Sequence, residues 1–309
     1  MSGRVLVTGS NGFVGMHLCR HLAARGYEVF GCDLVSAEDS PRRRICDIAD
    51  AQSIEEAVQW AGPLDFVVHL AAITFVPDAT NSPAEVVDVN FLGTIRLTEA
   101  LQAQAPESRL VFVGSSEVYG PRKETPITEE RSLAPANPYA ISKAAADEYC
   151  RFLSQNSGMD IVRMRPFNHS GPGQSDRFVL SSFARQIAEI EKGQRKAVIE
   201  VGNLEAARDF MHVNDVVRAY ETALQKGRAG EAYNICSGQS HRIGDALEAL
   251  VAMSDAVIRI EVDPKRFRPA DIAEIRGSHD KFTRDTAWKP EETFEGLLAD
   301  LLAYWRETA

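Results

Sequence analysis

Short apolar runs alternate with longer segments of helical periodicity along the first half of the chain. Because these runs are continuously apolar rather than alternating, each is typical of a strand buried on both faces of a parallel sheet. The runs that predict strands are Arg4–Thr8, Glu28–Leu34, Asp65–Leu70, Leu110–Val113 and Ile161–Met164. The segments that predict helices are Phe13–Ala24, Ile54–Trp60, Pro83–Gln104 and Pro138–Ser157.

This order of elements predicts an α/β fold with a doubly wound parallel sheet and a smaller C-terminal lobe. The alternation weakens after Arg165, where Gly, Pro, Asn and Ser are frequent. We predict a sheet domain over residues 1–165, to which later segments near 210–240 return, and a lobe formed mainly by residues 166–309. The elements predicted in this half are helices at Phe178–Lys192, Asn214–Gln225, Ile243–Ala252 and Phe294–Trp305 and a strand at Tyr233–Ile235.

Composition excludes several classes of protein. The 34 Lys and Arg residues against 44 Asp and Glu give a formal net charge of −10, which disfavours a nucleic-acid-binding protein. No apolar run approaches the length of a membrane span. The five scattered cysteines form no C-x-x-C pair, which indicates reduced thiols in a cytoplasmic protein and no metal site. His69 is interpreted as a packing residue, and His169 as either a substrate contact or a structural residue.

The turn after the first predicted strand favours dinucleotide binding. Gly9, Gly12 and Gly15 have the spacing G-x-x-G-x-x-G, which lets the backbone approach a diphosphate at a helix N-terminus. Asp33 ends the second strand, where a carboxylate accepts hydrogen bonds from ribose hydroxyls and disfavours a 2′-phosphate. NAD is therefore favoured. NADP stays open because Arg42–Arg44 could reach a phosphate, although a solvated loop is the preferred interpretation of that run.

Ser115, Tyr139 and Lys143 form the candidate catalytic set. Tyr139 and Lys143 lie one helical turn apart, and an ammonium beside a phenol is expected to lower the tyrosine pKa toward working pH. Ser115 is predicted at the C-terminal tip of a central strand, where it would hydrogen-bond the same carbonyl oxygen. This set is typical of hydride transfer between an alcohol and a ketone.

Six motifs give the chain a close resemblance to the nucleotide-sugar branch of the extended short-chain dehydrogenases/reductases. They are Thr8–Gly15, His69–Ala72, Val89–Thr94, Ser115–Gly120, Asn137–Lys143 and Asp209–Val216. The resemblance covers essentially the whole chain. It implies a Rossmann sheet that binds NAD(P), a lobe that binds a nucleoside-diphosphate sugar, and a homodimer formed through the helices Pro83–Gln104 and Pro138–Ser157.

The motifs and the resemblance together give a set of candidate binding residues. Those expected at the cofactor are Gly9, Asn11, Gly12, Phe13, Val14, Gly15, Asp33, Asp47, Ile48, Leu70, Ala71, Ala72, Asn90, Tyr139, Lys143 and Pro166. Those expected at the substrate are Ser116, Glu117, Asn168, Arg208 and Arg268. Two guanidinium groups suit a diphosphate, so an acidic protein can still bind this anionic ligand.

Within that branch, three stretches look most like GDP-4-dehydro-6-deoxy-D-mannose reductases, which form GDP-D-rhamnose. They are Arg165–Gln174, Gly202–Phe210 and Arg266–Ile272. Glu117 keeps a GDP-mannose 4,6-dehydratase open, because dehydratases use a glutamate at this position as a base, and a sugar 4-epimerase also remains possible. The alternative from another class is a non-catalytic NAD(P)-binding regulator, which would have no need of the complete Ser115, Tyr139 and Lys143 set.

Overall fold

The computed structural model describes residues 3–35, 40–121, 124–263 and 272–309. Its strands are β1 (Arg4–Thr8), β2 (Glu28–Asp33), β3 (Arg43–Ile45), β4 (Phe66–His69), β5 (Arg109–Val113), β6 (Ile161–Pro166), β7 (Asn168–Ser170), β8 (Val198–Val201), β9 (Ala207–His212), β10 (Ala232–Ile235), β11 (Ser240–Arg242), β12 (Arg259–Val262) and β13 (Glu274–Ile275). Its α-helices are α1 (Phe13–Ala24), α2 (Ala51–Ala61), α3 (Val76–Asn81), α4 (Pro83–Val87), α5 (Gly93–Gln104), α6 (Pro138–Asn156), α7 (Val179–Glu191), α8 (Val213–Lys226), α9 (Ile243–Ala252), α10 (Asp280–Thr286) and α11 (Phe294–Thr308).

A seven-stranded sheet organises the N-terminal half, in the order β10-β6-β5-β4-β1-β2-β3. Every neighbouring pair of strands is parallel. Successive residues of β1 pack into two separate hydrophobic clusters. Val5 and Val7 pack with α1 and α8, whereas Leu6 packs with α2 and α5. The sheet is thus covered on both faces, and the predicted α/β Rossmann-type fold is confirmed.

The lobe contains two small sheets and a separate core. Strands β11, β9 and β13 are joined by β7, which also pairs with β9, while β8 pairs with β12. Helices α7, α9 and α11 bury their apolar faces together with Ile199, Val201 and Phe210. The strand β7 follows β6 almost directly, so the central sheet leads straight into the lobe at the residues expected to contact substrate.

The predicted long helix Pro83–Gln104 is wrong in one respect. It is divided into α4, a π-helical turn over Asp88–Leu92, and α5. The turn contains Asn90, whose side-chain amide hydrogen-bonds the backbone of Ile73 and the hydroxyl of Ser142. A π-helical turn inserts one residue into a helix and is frequent at functional sites. The helical periodicity of the sequence continues through this turn, but the hydrogen bonds of Asn90 accompany a break in the regular α-helix.

The interpretation of Arg42–Arg44 as a solvated loop is also wrong. Arg43 and Arg44 belong to β3 at the sheet edge, and Arg42 and Arg44 form ion pairs with Glu28 and Glu56. The other predicted strands and helices are confirmed, with ends that shift by a few residues. The short strands of the lobe, with α3 and α10, were not predicted, because so few residues carry little periodicity. The division at residue 165 stays a prediction.

Candidate functional site

The turn between β1 and α1 is packed against the sheet and open at its tip. A Cβ added to Gly15 would lie 2.1 Å from the carbonyl oxygen of Gly9, and one added to Gly9 would lie 2.7 Å from the backbone nitrogen of Ala71. At Gly12 the nearest neighbour, the oxygen of Gly9, is 3.3 Å away. Among the described residues, no side chain caps α1 and no acidic group lies in its first turn. A helix N-terminus of this kind suits a diphosphate, so the turn fits a dinucleotide.

Asp33 lies at the carboxyl end of β2 beside this turn. Its carboxylate accepts hydrogen bonds from the backbone N–H of Asn11 at 2.9 Å and of Leu34 at 2.8 Å. Asp47 closes the turn before α2 by accepting from the N–H of Ala49. The buried side chain of Ile48 packs against α5 at Gly93, where a Cβ would lie 3.0 Å away. Asp33, Asp47 and Ile48 are thus grouped at one side of the turn that was predicted to bind the cofactor.

His69 is held in a buried hydrogen-bonded chain at the end of β4. Thr94 donates to the backbone oxygen of Asn90, so His69 Nε2 donates to Thr94 Oγ1 and His69 Nδ1 accepts from Thr8. Burial lowers the pKa of His69 to about 3, so the ring is neutral. The arrangement agrees with the packing role predicted for this residue. It also fixes the backbone at Ala71, whose N–H donates to Thr8 Oγ1.

Ser115, Tyr139 and Lys143 converge at the carboxyl end of β5. Ser115 is the N-cap of a short 3₁₀ helix, Ser116–Tyr119, and its hydroxyl accepts from the N–H of Glu117. The Ser115 hydroxyl is near enough to Tyr139 to lower the pKa of the phenol, although burial has the larger and opposite effect. Lys143, one turn further along α6, donates from Nζ to the backbone oxygen of Val113 at 2.8 Å. All three candidate catalytic side chains are buried and lie together.

The expected lowering of the tyrosine pKa is wrong for this structure. Burial raises the pKa of Tyr139 to about 12, against the opposing effect of its hydrogen bond with Ser115. Burial also lowers the pKa of Lys143 to about 8, and its ammonium is directed to the oxygen of Val113. Desolvation therefore determines the direction of the shift. A phenol with a raised pKa stays protonated near neutral pH.

The residues predicted to bind substrate lie on several elements. Ser116 and Glu117 are in the 3₁₀ helix, Asn168 is exposed at the start of β7, and Arg208 is in β9. The Arg208 guanidinium donates to the backbone oxygens of Ala207 and Ile272, both at 2.8 Å. It is therefore anchored in the lobe rather than extended into solvent. Arg268 lies outside the described residues.

Asn137 is a site residue that the sequence reasoning missed. Its Oδ1 accepts from the N–H of Ala140 and caps α6, while its Nδ2 donates to the Glu117 carboxylate at 3.3 Å. Asn immediately before Pro138 is a recognisable start of a helix, so the sequence contained a signal for the cap. It contained none for the contact with Glu117, which depends on the tertiary fold.

Two further contacts connect the sheet to the lobe around this site. The ring of His169 stacks on Phe13 of the glycine turn, with centroids 6.2 Å apart, and His169 Nδ1 donates to the backbone oxygen of Phe167. Arg177 forms a two-pronged ion pair with Asp78, at 2.7 and 2.8 Å, and lies over the ring of Phe75. The sequence reasoning left the role of His169 open and did not identify Arg177.

Within the described part of the chain, no helix combines the length and apolar character needed to cross a membrane. A search of the same residues for three or more grouped His, Cys, Asp or Glu side chains gives no candidate metal centre.

Comparison with known proteins gives matches along nearly the whole chain. A family model described as GDP-mannose 4,6 dehydratase matches residues 6–301. The GDP-6-deoxy-D-mannose reductase of Pseudomonas aeruginosa is 39% identical over 307 residues, which cover 99% of this chain and 98% of that protein. The GDP-mannose 4,6-dehydratase of Vibrio cholerae is 28% identical, with coverage of 98% and 93% respectively.

Solved structures also match along nearly the whole chain. The structure of RMD from Pseudomonas aeruginosa complexed with NADPH superimposes with a TM-score of 0.91 at 37% identity and covers 100% of both chains. The UDP-glucose 4-epimerase of Thermus thermophilus in complex with NAD superimposes with a TM-score of 0.87 at 28% identity, over 99% of this chain and 100% of that one. The similarity therefore extends over the sheet and the lobe alike.

Proposed function

The chain belongs to the GDP-mannose 4,6-dehydratase family, and from that membership we propose that it is an NAD(P)H-dependent reductase of a GDP-4-keto-6-deoxymannose. The product is GDP-D-rhamnose. The observation that carries this choice is the 39% identity with a GDP-6-deoxy-D-mannose reductase over nearly the whole length of both proteins. The dehydratase relatives share less of the sequence, as the 28% identity with the Vibrio cholerae protein illustrates.

The chemistry of the buried set supports reduction. When bound, the reduced nicotinamide supplies the hydride that converts the C4 ketone to an alcohol. Tyr139 donates its phenolic proton to the carbonyl oxygen, for which its raised pKa keeps it protonated. Ser115 donates to the same oxygen and stabilises its developing charge. Lys143, whose Nζ donates to the backbone oxygen of Val113, would bind the cofactor ribose through its ammonium.

The substrate groups are assigned to the lobe and the 3₁₀ helix. Arg208, with Arg268, binds the diphosphate through guanidinium forks. Asn168 hydrogen-bonds the sugar-phosphate region. Glu117 accepts from a sugar hydroxyl, and Asn137 donates to its carboxylate. In a dehydratase the same carboxylate would remove the C5 proton, so the role of Glu117 differs between the two activities.

The cofactor is NAD(P)H. The glycine turn, Asp33 and the backbone around Ala71 would hold it, and Asp33 favours NADH because a carboxylate at the end of β2 would repel a 2′-phosphate. The paired state of Arg42 and Arg44 supports the same preference. The NADPH complex of the Pseudomonas aeruginosa structure makes the comparison of both cofactors necessary.

The decisive experiment incubates the enzyme with the GDP-linked 4-keto-6-deoxymannose and either NADH or NADPH, and identifies the product by NMR. Formation of the rhamnose configuration at C4 supports the proposal. The opposite C4 configuration, or no consumption of reduced cofactor, would overturn it. Conversion of GDP-mannose without net oxidation of cofactor would instead identify a dehydratase.

We expect kcat/KM for the reduction to fall as the pH rises through about 8. Lys143 has a pKa lowered to about 8, so its positive charge is lost over this range. The pH dependence of kcat/KM reports groups of the free enzyme, which makes it the measurement of choice. A profile that stays flat across this value would contradict the assignment.

Lys143→Met is the control for this pH dependence. The variant is expected to lose activity at every pH and to show no decline in kcat/KM near pH 8. Because the folded pKa lies below the unfolded value of 10.5, the unfolded state binds more protons between these values, and the free energy of unfolding rises with pH in that window. The variant should lack this rise in denaturant titrations.

The outward faces of α4 and α6 support a homodimer. Ile141 and Phe152 lie on one stripe of α6 and are 50% and 52% exposed, while Val87 and Leu92 on the neighbouring helical turns are 37% and 38% exposed. Large apolar side chains grouped on adjacent helices mark a site of association. A second copy of this chain is the proposed occupant, packed as a bundle of two helices from each subunit.

Replacing Ile141 and Phe152 together with glutamate is expected to halve the apparent mass in size-exclusion chromatography with light scattering. Four buried carboxylates at a two-fold interface would cost more than the apolar contacts gain. Val257→Glu is the matched control, since Val257 is 94% exposed in the lobe. An unchanged mass in the double variant would show that this surface is not a dimer interface.

The five cysteines are free and buried, which supports the cytoplasm as the proposed location.

A further inference from the structure

A buried charged network lies directly behind the candidate catalytic residues. Its centre is Asp147, which is fully buried on α6 and follows Tyr139 and Lys143 on the same helix face, two turns and one turn away. The Asp147 carboxylate accepts from Arg163 Nη1 at 2.6 Å and from Arg165 Nη2 and Nε at 2.7 and 2.9 Å. Both arginines belong to β6.

Arg165 extends this network to the turn that carries Ser115. Its Nη1 donates to the hydroxyl of Tyr119 at 2.9 Å, and its guanidinium lies 5.2 Å from the centre of that ring. Tyr119 in turn donates to Asn234 Oδ1 at 2.7 Å. Tyr119 is the last residue of the 3₁₀ helix whose N-cap is Ser115. One guanidinium thus joins the helix of Tyr139 to the turn of Ser115.

The charges in this network are held by their mutual hydrogen bonds. Burial alone would raise the pKa of Asp147, but the bonds from Arg165 and Arg163 outweigh it and the pKa is lowered. The bonds to Asp147 likewise raise the pKa of Arg165 despite its burial. Buried ion pairs contribute little net stability compared with apolar residues, and their best-attested use is to specify one arrangement.

We propose that Arg165 and Tyr119 are positioning residues that fix the turn of Ser115 relative to Tyr139 on α6. This inference rests on the proposed roles of Ser115 and Tyr139 in proton transfer. The Asn137 contact with Glu117 and the Lys143 bond to Val113 join α6 to the start of this region, whereas the bond from Arg165 fixes the far end of the turn, at Tyr119. Small misplacements of a catalytic group are costly to the chemical step and have little effect on binding.

Arg163 provides a matched control within the network. It binds the same carboxylate, but its Nη2 donates to the backbone oxygen of Gly230 rather than to the Ser115 turn. If the network only stabilises the fold, removing the Arg163 bonds and removing the Arg165 to Tyr119 bond should have similar effects on kcat. A positioning role predicts that only the branch through Arg165 and Tyr119 alters catalysis.

The test is a double-mutant cycle on kcat for the keto-sugar reduction. Ser115→Ala is expected to lower kcat about 100-fold, as the loss of a hydrogen-bond donor to a developing oxyanion does. Tyr119→Phe is expected to lower kcat about 10-fold with little change in KM, and to have less than about a twofold effect in the Ser115→Ala background. Arg163→Met should lower the melting temperature while kcat stays within about twofold of the wild type.

Effects of Tyr119→Phe and Ser115→Ala that multiply in the double variant would overturn the proposal, as would an equal loss of kcat in Arg163→Met. Crystal structures of Tyr119→Phe and Arg163→Met give a second readout that does not depend on which sugar is reduced. A displacement of Ser115 relative to Tyr139 only in Tyr119→Phe supports the proposal, and an unchanged separation of the two hydroxyls there contradicts it. Failure of the proposed function would instead be seen as an inactive wild type.

Discussion

Tyr139→Phe is expected to lower kcat about 10²- to 10⁴-fold while the affinity for NAD(P)H stays within a few-fold of the wild type. The phenolic hydroxyl is the proton donor in the proposed reaction, and the variant keeps the ring that packs against Val86 and Ala79. The loss is therefore confined to proton transfer. Steady-state kinetics and fluorescence titration of the reduced cofactor measure the two quantities separately.

Tyr149→Phe is the control for this result, because it removes a hydroxyl from the same helix. Tyr149 packs its ring against Phe91 and Phe152 on the outer side of α6, away from the candidate site. Its kcat should match that of the wild type. A Tyr139→Phe enzyme with near-normal turnover would refute the assignment of the proton donor and with it the proposed mechanism.

Gly15→Ala is expected to weaken cofactor binding about 5- to 100-fold. The added Cβ would lie 2.1 Å from the oxygen of Gly9 and 2.8 Å from the Cα of Ser10, so the turn must move away from α1. Displacing well-packed backbone costs about 1–3 kcal/mol, and each 1.4 kcal/mol is about tenfold in affinity. Isothermal titration with NADH and NADPH measures the effect directly.

Gly296→Ala is the matched control, since Gly296 is also the third residue of its helix, α11. Its added Cβ would meet only the side-chain oxygen of Thr293, at 3.1 Å, which can rotate away. The cofactor affinity should be unchanged. Unaltered binding in Gly15→Ala would show that the turn does not hold the diphosphate.

The sequence predicted those parts of the site that depend on local pattern. The glycine spacing, the strand ends at Asp33 and Ser115, and the helical spacing of Tyr139 and Lys143 all follow from periods of two to four residues. The sequence did not predict the direction of the tyrosine pKa shift, because burial at the junction of α6 with α4 is a tertiary property.

Contacts between residues distant in sequence also explain two other features that the sequence did not predict. The π-helical turn at Asn90 depends on contacts with Ile73 and Ser142, which are distant in sequence. The contact of Asn137 with Glu117 likewise requires two turns that meet only in the folded chain. These two features are hydrogen bonds between elements, whereas each confirmed element has its own repeating pattern of apolar residues.

The return of α8 and β10 to the central sheet restricts how this enzyme can be re-engineered. A fragment cut at residue 165 would lose the edge strand beside β6 and the helix that shields Val111 and Val162, so it would not fold autonomously. Exchanging whole lobes between relatives to change the accepted sugar would remove this strand and this helix from the sheet of each protein. Substituting individual side chains around the proposed substrate residues Asn168 and Arg208 would preserve the shared core.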